Sequence, residues 1–381
     1  IEGLTAKLEE FEHRFSLQHQ QLVSVSSEGP QQVQQNLLIP VQKEELQPNV
    51  EARSEVEVVA SLSELDTNGN TLEVAKETKG MDEPKNKVDE LCPEMVEIVH
   101  RMLSKEQNYS VDEIIDCGFM SFLVRGLSID DVKVQDLCAF GLAKITGIRE
   151  QAAKVVEAGA IVPLIQLMTH SNPELARKAT FAVCNIVGES AQLRDLVLQS
   201  NVVEALTTQC GKLADLSLPL TRMLSWMFSR ICRHTDNQAP LEVLAMLVLG
   251  LVQLLEFEDG KVSTHACWAL TYIASGTDKQ RSIVRDSGVL PLVLKNLSDE
   301  NGSLVEPAVK VLLNMTVGGD SMKQSVIDLG ALRVLPEVVQ KAKKASIVKE
   351  CAMLIRNLMD GSKDQRKSLI DSGILTMILN V

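Results

Sequence analysis

From Cys92 onward the chain is a succession of dense Leu, Ile, Val and Ala runs in which apolar positions return every three to four residues, the period of a helix with one buried face. Residues 1–23 follow the same rule more briefly. Ile1, Leu4, Leu8, Phe11, Phe15 and Leu22 form a stripe interrupted by Gln18, which predicts a short amphipathic helix but not a stable coiled coil. Residues 24–90 are instead rich in Gln, Glu, Ser, Asn and Pro and nearly free of aromatics, so they cannot bury enough apolar surface to offset ordering entropy. A disordered acidic and polar linker is expected there, with a transient helix near Val56–Leu65, and the helical part is expected to fill residues 91–381.

The helical runs repeat. Trp226 and Trp268 lie 42 residues apart, and similar steps reach Phe181 and Phe140 upstream and Lys310 and Met353 downstream, with gaps of 41, 45, 42, 42 and 43. A second series agrees: Gly118, Gly159, Gly288, Gly330 and Gly373 each precede an apolar run, at spacings of 41, 129, 42 and 43, the long one being three periods. A shared period near 42 with a helix-breaking Gly before each new segment predicts stacked helical repeats of the armadillo or HEAT kind. The expected fold is therefore all-α, an armadillo-repeat right-handed superhelical solenoid of about seven repeats with a disordered N-terminal tail. No unit can bury its apolar stripe alone, so neighbours supply a continuous core and the curved inner face becomes the expected binding surface.

Charge sharpens this picture. Of the net −13, residues 1–90 hold −10 (18 acids, 8 bases) and residues 91–381 hold −3 (33 acids, 30 bases). An acidic tail on a near-neutral body argues against sequence-independent nucleic-acid binding, which needs clustered Lys and Arg. No uncharged apolar stretch is long enough for a membrane helix and the first thirty residues lack a secretory layout, so the chain reads as soluble and intracellular, with no membrane partner. The eight cysteines contain no CxxC pair and sit mostly in apolar runs, as reduced core thiols would.

Catalytic and metal chemistry find no support. The VGGD at 317–320 follows a helix and lacks a Lys-Ser/Thr pair, and the six histidines show no HxxxH and no Cys at metal spacing. His265, three residues before Trp268, is expected to be a solvated helix-face residue rather than a ligand or base. Neither a cofactor nor an enzymatic activity is expected.

Four residues after each member of the aromatic series comes a polar one: Lys144, Asn185, Arg230, Tyr272, Asn314 and Asn357. Positions i and i+4 are stacked on one helix face, so each unit should present a hydrophobic shelf beside a polar group. Such a ladder suits an extended peptide: ring faces hold the stem and cation of Lys or Arg, and Asn bonds the peptide backbone in both directions. Aromatics at helical spacing also suit a core. The pairing with Asn favours a groove, because an Asn facing a Leu-rich core would lack partners.

The segments MLSKEQNYSVDEIIDCGF (102–119), EQAAKVVEAGAIVPLIQLM (150–168), LSWMFSRICRHTDNQAP (224–240), CWALTYIASGTDKQRSIVRDSGVLPLV (267–293) and NMTVGGDSMKQSVIDLGAL (314–332) resemble the armadillo repeats of importin α, a likeness covering about residues 93–381. The resemblance implies a nuclear import adaptor that binds the basic nuclear localisation signals of cargo proteins in its concave groove, links them to importin β, and shuttles between cytoplasm and nucleus through the pore. It places the peptide-binding positions at Phe140, Lys144, Phe181, Asn185, Glu189, Trp226, Arg230, Arg233, Trp268, Tyr272, Lys310, Asn314 and Asn357.

Departures from the family's pattern are part of the reading. Of the second to fourth units, only the third keeps the amide (Asn185) and only the fourth the indole (Trp226); Lys310 and Met353 stand where the family has Arg and Trp. Family acids align with Arg177, Lys261 and Ser275, which predicts weaker binding of a lysine-rich peptide. Residues 1–90 show no basic arm for importin β, since Lys76, Lys79, Lys85 and Lys87 are diluted by Glu77, Asp82 and Glu83. The chain begins at Ile1 and stops within its seventh unit, so an absent arm or absent later repeats do not count as losses. The competing reading is an armadillo scaffold that has exchanged signal binding for another protein partner.

Overall fold

The computed structural model describes residues 119–148, 150–299 and 302–375, and every regular element among them is a helix. The helix expected over residues 1–23, the linker over 24–90 and Gly118 of the glycine series lie outside the described residues. The array opens with α1 (Phe119–Gly126) and α2 (Val132–Thr146). Two triplets follow, α3 (Ala152–Glu157), α4 (Ile161–Met168) and α5 (Pro173–Glu189), then α6 (Ala191–Leu198), α7 (Val202–Cys210) and α8 (Leu218–Cys232). Next comes the pair α9 (Leu241–Glu256) and α10 (Gly260–Ala274). Two more triplets are α11 (Asp278–Asp286), α12 (Leu290–Lys295) and α13 (Val305–Val317), then α14 (Asp320–Asp328), α15 (Ala331–Lys341) and α16 (Ala345–Met359); α17 (Lys363–Asp371) begins another unit. The all-α armadillo solenoid expected from the period is the observed architecture.

Local chemistry starts the final helices α2, α5, α8 and α10 at the same place. Asp131, Asn172 and Asp259 are N-caps whose side chains accept from the second and third backbone N–H groups of α2, α5 and α10, satisfying donors the helix cannot. Ser217 holds the equivalent position before α8 without a side-chain cap bond. These four are spaced by 41, 45 and 42, as the aromatics are, so every ring sits nine residues beyond its cap. The long interval contains the extra 3₁₀ turn Leu213–Asp215 between α7 and α8.

The glycine series has an equally local cause. Gly159, Gly288, Gly330 and Gly373 all have φ between +72° and +85°, a conformation that an L side chain resists. Asn201 (φ 62°), 42 residues after Gly159, makes the same turn before α7. Asn tolerates the left-handed region better than other non-Gly residues, which fills one of the two gaps in the series. At the other, the first helix of the unit is reduced to the 3₁₀ turn Thr235–Asn237 and the chain runs directly into α9.

Burial then assembles the units. Consecutive final helices pack directly, α2 on α5, α5 on α8, α8 on α10, α10 on α13 and α13 on α16, while α4 and α9 back α5 and α10. Phe228 is fully buried and lies so close to Gly250 of α9 that a Cβ there would strike the ring. Burying such a side chain stabilises the fold by roughly 1.5–3 kcal/mol. No described helix is long and apolar enough to cross a membrane.

Candidate functional site

Because each final helix packs on the next, and α2, α5, α8 and α10 share one cap-to-ring offset, the aromatic series becomes a ladder that continues through Lys310 on α13 and Met353 on α16. The i,i+4 pairs meet as expected: Lys144 Nζ lies 5.1 Å from the Phe140 ring centroid, Arg230 Cζ 5.2 Å from that of Trp226, and Trp268 stacks with Tyr272 at 6.1 Å and 28°. Contacts also cross between rungs. Phe181 stacks with Trp226 at 5.9 Å and 24°, Lys178 Nζ reaches 5.3 Å from the Phe140 centroid, and Lys310 Nζ 5.3 Å from that of Trp268. The shelves expected to be open are thus occupied from within the chain. Trp226 is only 4% exposed and Tyr272 2%, Phe140 and Phe181 are buried, and Trp268 is half-buried.

The asparagines are tied to the ladder itself. Asn185 Nδ2 donates to Ala143 O (3.3 Å) and Thr146 Oγ1 (3.4 Å), Asn314 Nδ2 to Thr271 O (2.9 Å), and Asn357 Nδ2 to Thr316 Oγ1 (3.1 Å). Each partner lies in the last turn of the preceding final helix: the Ala143 and Thr271 carbonyls, which also accept from Gly147 N and Ser275 N, and the Thr146 and Thr316 hydroxyls. The premise that a core-facing Asn would go unpaired is therefore corrected: the preceding rung pairs it, and its presence alone does not mark a ligand site.

Charge along the ladder is clasped. Lys178 meets Asp136 at 2.9 and 2.7 Å, and Lys310 is held by Glu350 (3.1 Å) and Glu306 (4.0 Å), the latter also meeting Lys344 at 2.7 Å. Burial pushes the Glu350 carboxyl up to about 7 against the pull of Lys310. Arg177, expected to repel an incoming Lys, is 2% exposed and bonded to Glu174 at 2.7 Å, so it is withdrawn from the surface. Ser275 donates to Tyr272 O (2.7 Å), and Lys261 is exposed in the first turn of α10. Glu189 is half-buried at the end of α5, and Arg233 is exposed as the C-cap of α8. The six final helices carry ten Lys or Arg against five Asp or Glu, a net +5 within a chain of net −13.

His265 departs from expectation. It is half-buried, its Nδ1 lies 3.1 Å from Ser225 Oγ on α8, and burial, with Lys261 and Arg222 adding to it, lowers its pKa to about 4. A packed, neutral inter-rung partner replaces the expected solvated residue. The six cysteines among the described residues are free and buried, and burial pushes Cys138, Cys210, Cys232, Cys267 and Cys351 up to about 12.

Sequence reasoning passed over Lys178, Gly188 and Glu350. A signal existed for Lys178, because Asp136 lies 42 residues before it on the same period. For Gly188 none did, since its role is the space it leaves for a side chain of the next unit.

Comparison with known proteins agrees with this geometry. Residues 149–188 match the Armadillo/beta-catenin-like repeat. The chain is 40% identical over 260 residues to Importin subunit alpha-2 of Caenorhabditis elegans, covering 68% of this chain and 49% of that protein. It is 30% identical over 282 residues to Importin subunit alpha-1a of Oryza sativa subsp. japonica, covering 74% and 53%. The chain thus spans about half the length of the curated relatives it matches. Among solved structures, an engineered protein superposes with a TM-score of 0.63 at 25% identity, covering 70% of this chain and 64% of that one. A designed armadillo repeat protein in complex with peptide (KR)4 superposes at 0.57 and 24% identity, covering 62% and 98%, a likeness of fold. Repeat period, ladder geometry and these similarities converge: the chain belongs to the importin α family, as a divergent armadillo-repeat member.

Proposed function

We propose that the chain is a nuclear import adaptor that binds, rather than transforms, its ligand: an extended basic nuclear localisation signal of a cargo protein laid along the final-helix ladder. The observation that carries this reading is the 40% identity to an importin subunit alpha over 260 residues, 68% of this chain. Physical support comes from Asn185, Asn314 and Asn357, whose Nδ2 groups are fixed on the preceding rung, so that their side-chain oxygens are the groups a bound backbone N–H would meet. The remaining contacts would fall to Phe140, Phe181, Trp226, Trp268 and Tyr272 as shelves, Glu189 as counter-charge, and Lys144, Arg233 and Lys310 beside them, with Arg230 lying over the Trp226 shelf. Linkage to importin β and shuttling between cytoplasm and nucleus belong to the same proposal.

Fluorescence anisotropy with a lysine-rich peptide, and a pull-down with importin β as bait, test it. Saturable, salt-weakened binding that drops about five- to tenfold in Asn185→Ala and Trp226→Ala is expected, about 1–1.4 kcal/mol each. Unchanged affinity in both variants would sink the ladder as the binding surface.

A further inference from the structure

One side chain sits where a ligand's cation would go. Arg230 lies over the Trp226 ring, and its guanidinium passes so close above Gly188, the penultimate residue of α5, that a Cβ on Gly188 would clash with Nε, Nη2 and Cζ. Gly188 is not among the glycines with positive φ, so its backbone does not require glycine. A helical Gly costs about 1 kcal/mol relative to Ala, and what this one provides is room for the guanidinium. The Trp226 ring is meanwhile stacked on Phe181, so the rung is filled by a ring and a cation of the chain's own.

We propose that Arg230 is a resident occupant of the Trp226 rung, an intramolecular stand-in for a ligand's Lys or Arg that must swing off Gly188 before a basic side chain can enter. This rests on the signal-binding reading and adds its regulation: the rung is autoinhibited by charge and by sterics, and basic peptides are sorted by their ability to displace one guanidinium. A cation over an indole gains its energy from the ring face, and that face holds one guest at a time.

The test measures anisotropy with a lysine-rich peptide against the whole chain and two variants, together with tryptophan emission in a Trp268→Phe background, where Trp226 is the single reporter. Arg230→Gln removes the occupant. Gly188→Ala keeps the charge and displaces it. Arg230→Gln is expected to bind the peptide about tenfold tighter, about 1.4 kcal/mol, with Gly188→Ala in between, and the peptide should perturb Trp226 emission more strongly in both variants than in the parent. Equal affinity and equal emission change in parent and variants would overturn the gate while leaving signal binding standing. Absence of peptide binding in all three proteins would remove the adaptor reading and the gate together. A Glu-rich peptide that binds the parent and is lost in Arg230→Gln would make Arg230 a ligand-contacting group, which also overturns the gate.

Discussion

At the scale of single residues, two titrating groups pull the fold in opposite directions, and both are set by the final-helix packing. Glu350, among Lys310, Glu306 and Lys349, has a folded pKa of about 7, above the ordinary carboxyl value of 4.5. The folded state therefore binds more protons than the unfolded one between those values, and stability falls as pH rises through that window. His265, among Lys261, Asp259 and Arg222, is depressed to about 4 from 6.5, so the folded state binds fewer protons there and stability rises with pH over that range. His234 is lowered in the same direction by burial. The two slopes oppose each other where they overlap. Glu350→Gln should leave a chain that gains stability from pH 5 to 7, and His265→Gln one that loses it, each by about 2 kcal/mol. Urea denaturation at both pH values measures this, and parallel behaviour of the two variants would refute the assignment.

At the scale of elements, the turn before each unit's second helix is the feature most open to perturbation. Gly330 has φ 85° and Asn201 φ 62°, yet nothing lies within 4 Å of a Cβ added to Gly330, so backbone strain alone decides a substitution there. Gly330→Ala should cost about 1–2 kcal/mol, while Asn201→Gly should be neutral or slightly stabilising. Thermal melts of the two variants would show a clear drop for the first only; equal drops would mean that the Asn201 side chain contributes more than its tolerance of the left-handed region. The same elements show what pattern reading reaches. The 42-residue period, the i,i+4 pairs and the glycine turns were legible because each is a local backbone or helix-face property. Asn201 was missed because the marker was sought as glycine, although the property selected is φ rather than residue type.

At the scale of the whole molecule, the described final helices pack each on the next along the array, so stability is a sum of unit and interface contributions and openings spread along it. The cysteines report on this. Six of the eight are buried within the described array, with thiols held neutral by burial, and Cys92 and Cys117 lie outside the described residues. In native buffer, thiol labelling should be rapid at no more than two sites per chain, and the other six should follow only as units open in denaturant. Fast labelling of more than two would contradict the continuous core.

Sequence alone determined the helical class, the repeat length, the family and the order of the ladder positions, since helix period, turn conformation and i,i+4 proximity depend on residues close together in the chain. Tertiary structure decided what the ladder presents. Whether Trp226 stands open or is stacked on Phe181, whether Arg230 faces solvent or lies against Gly188, and whether Asn314 is spare or bonded to Thr271 depend on groups some forty residues apart being brought within about 6 Å. Those distances are set by the packing of one final helix on the next, which no single stretch of sequence contains.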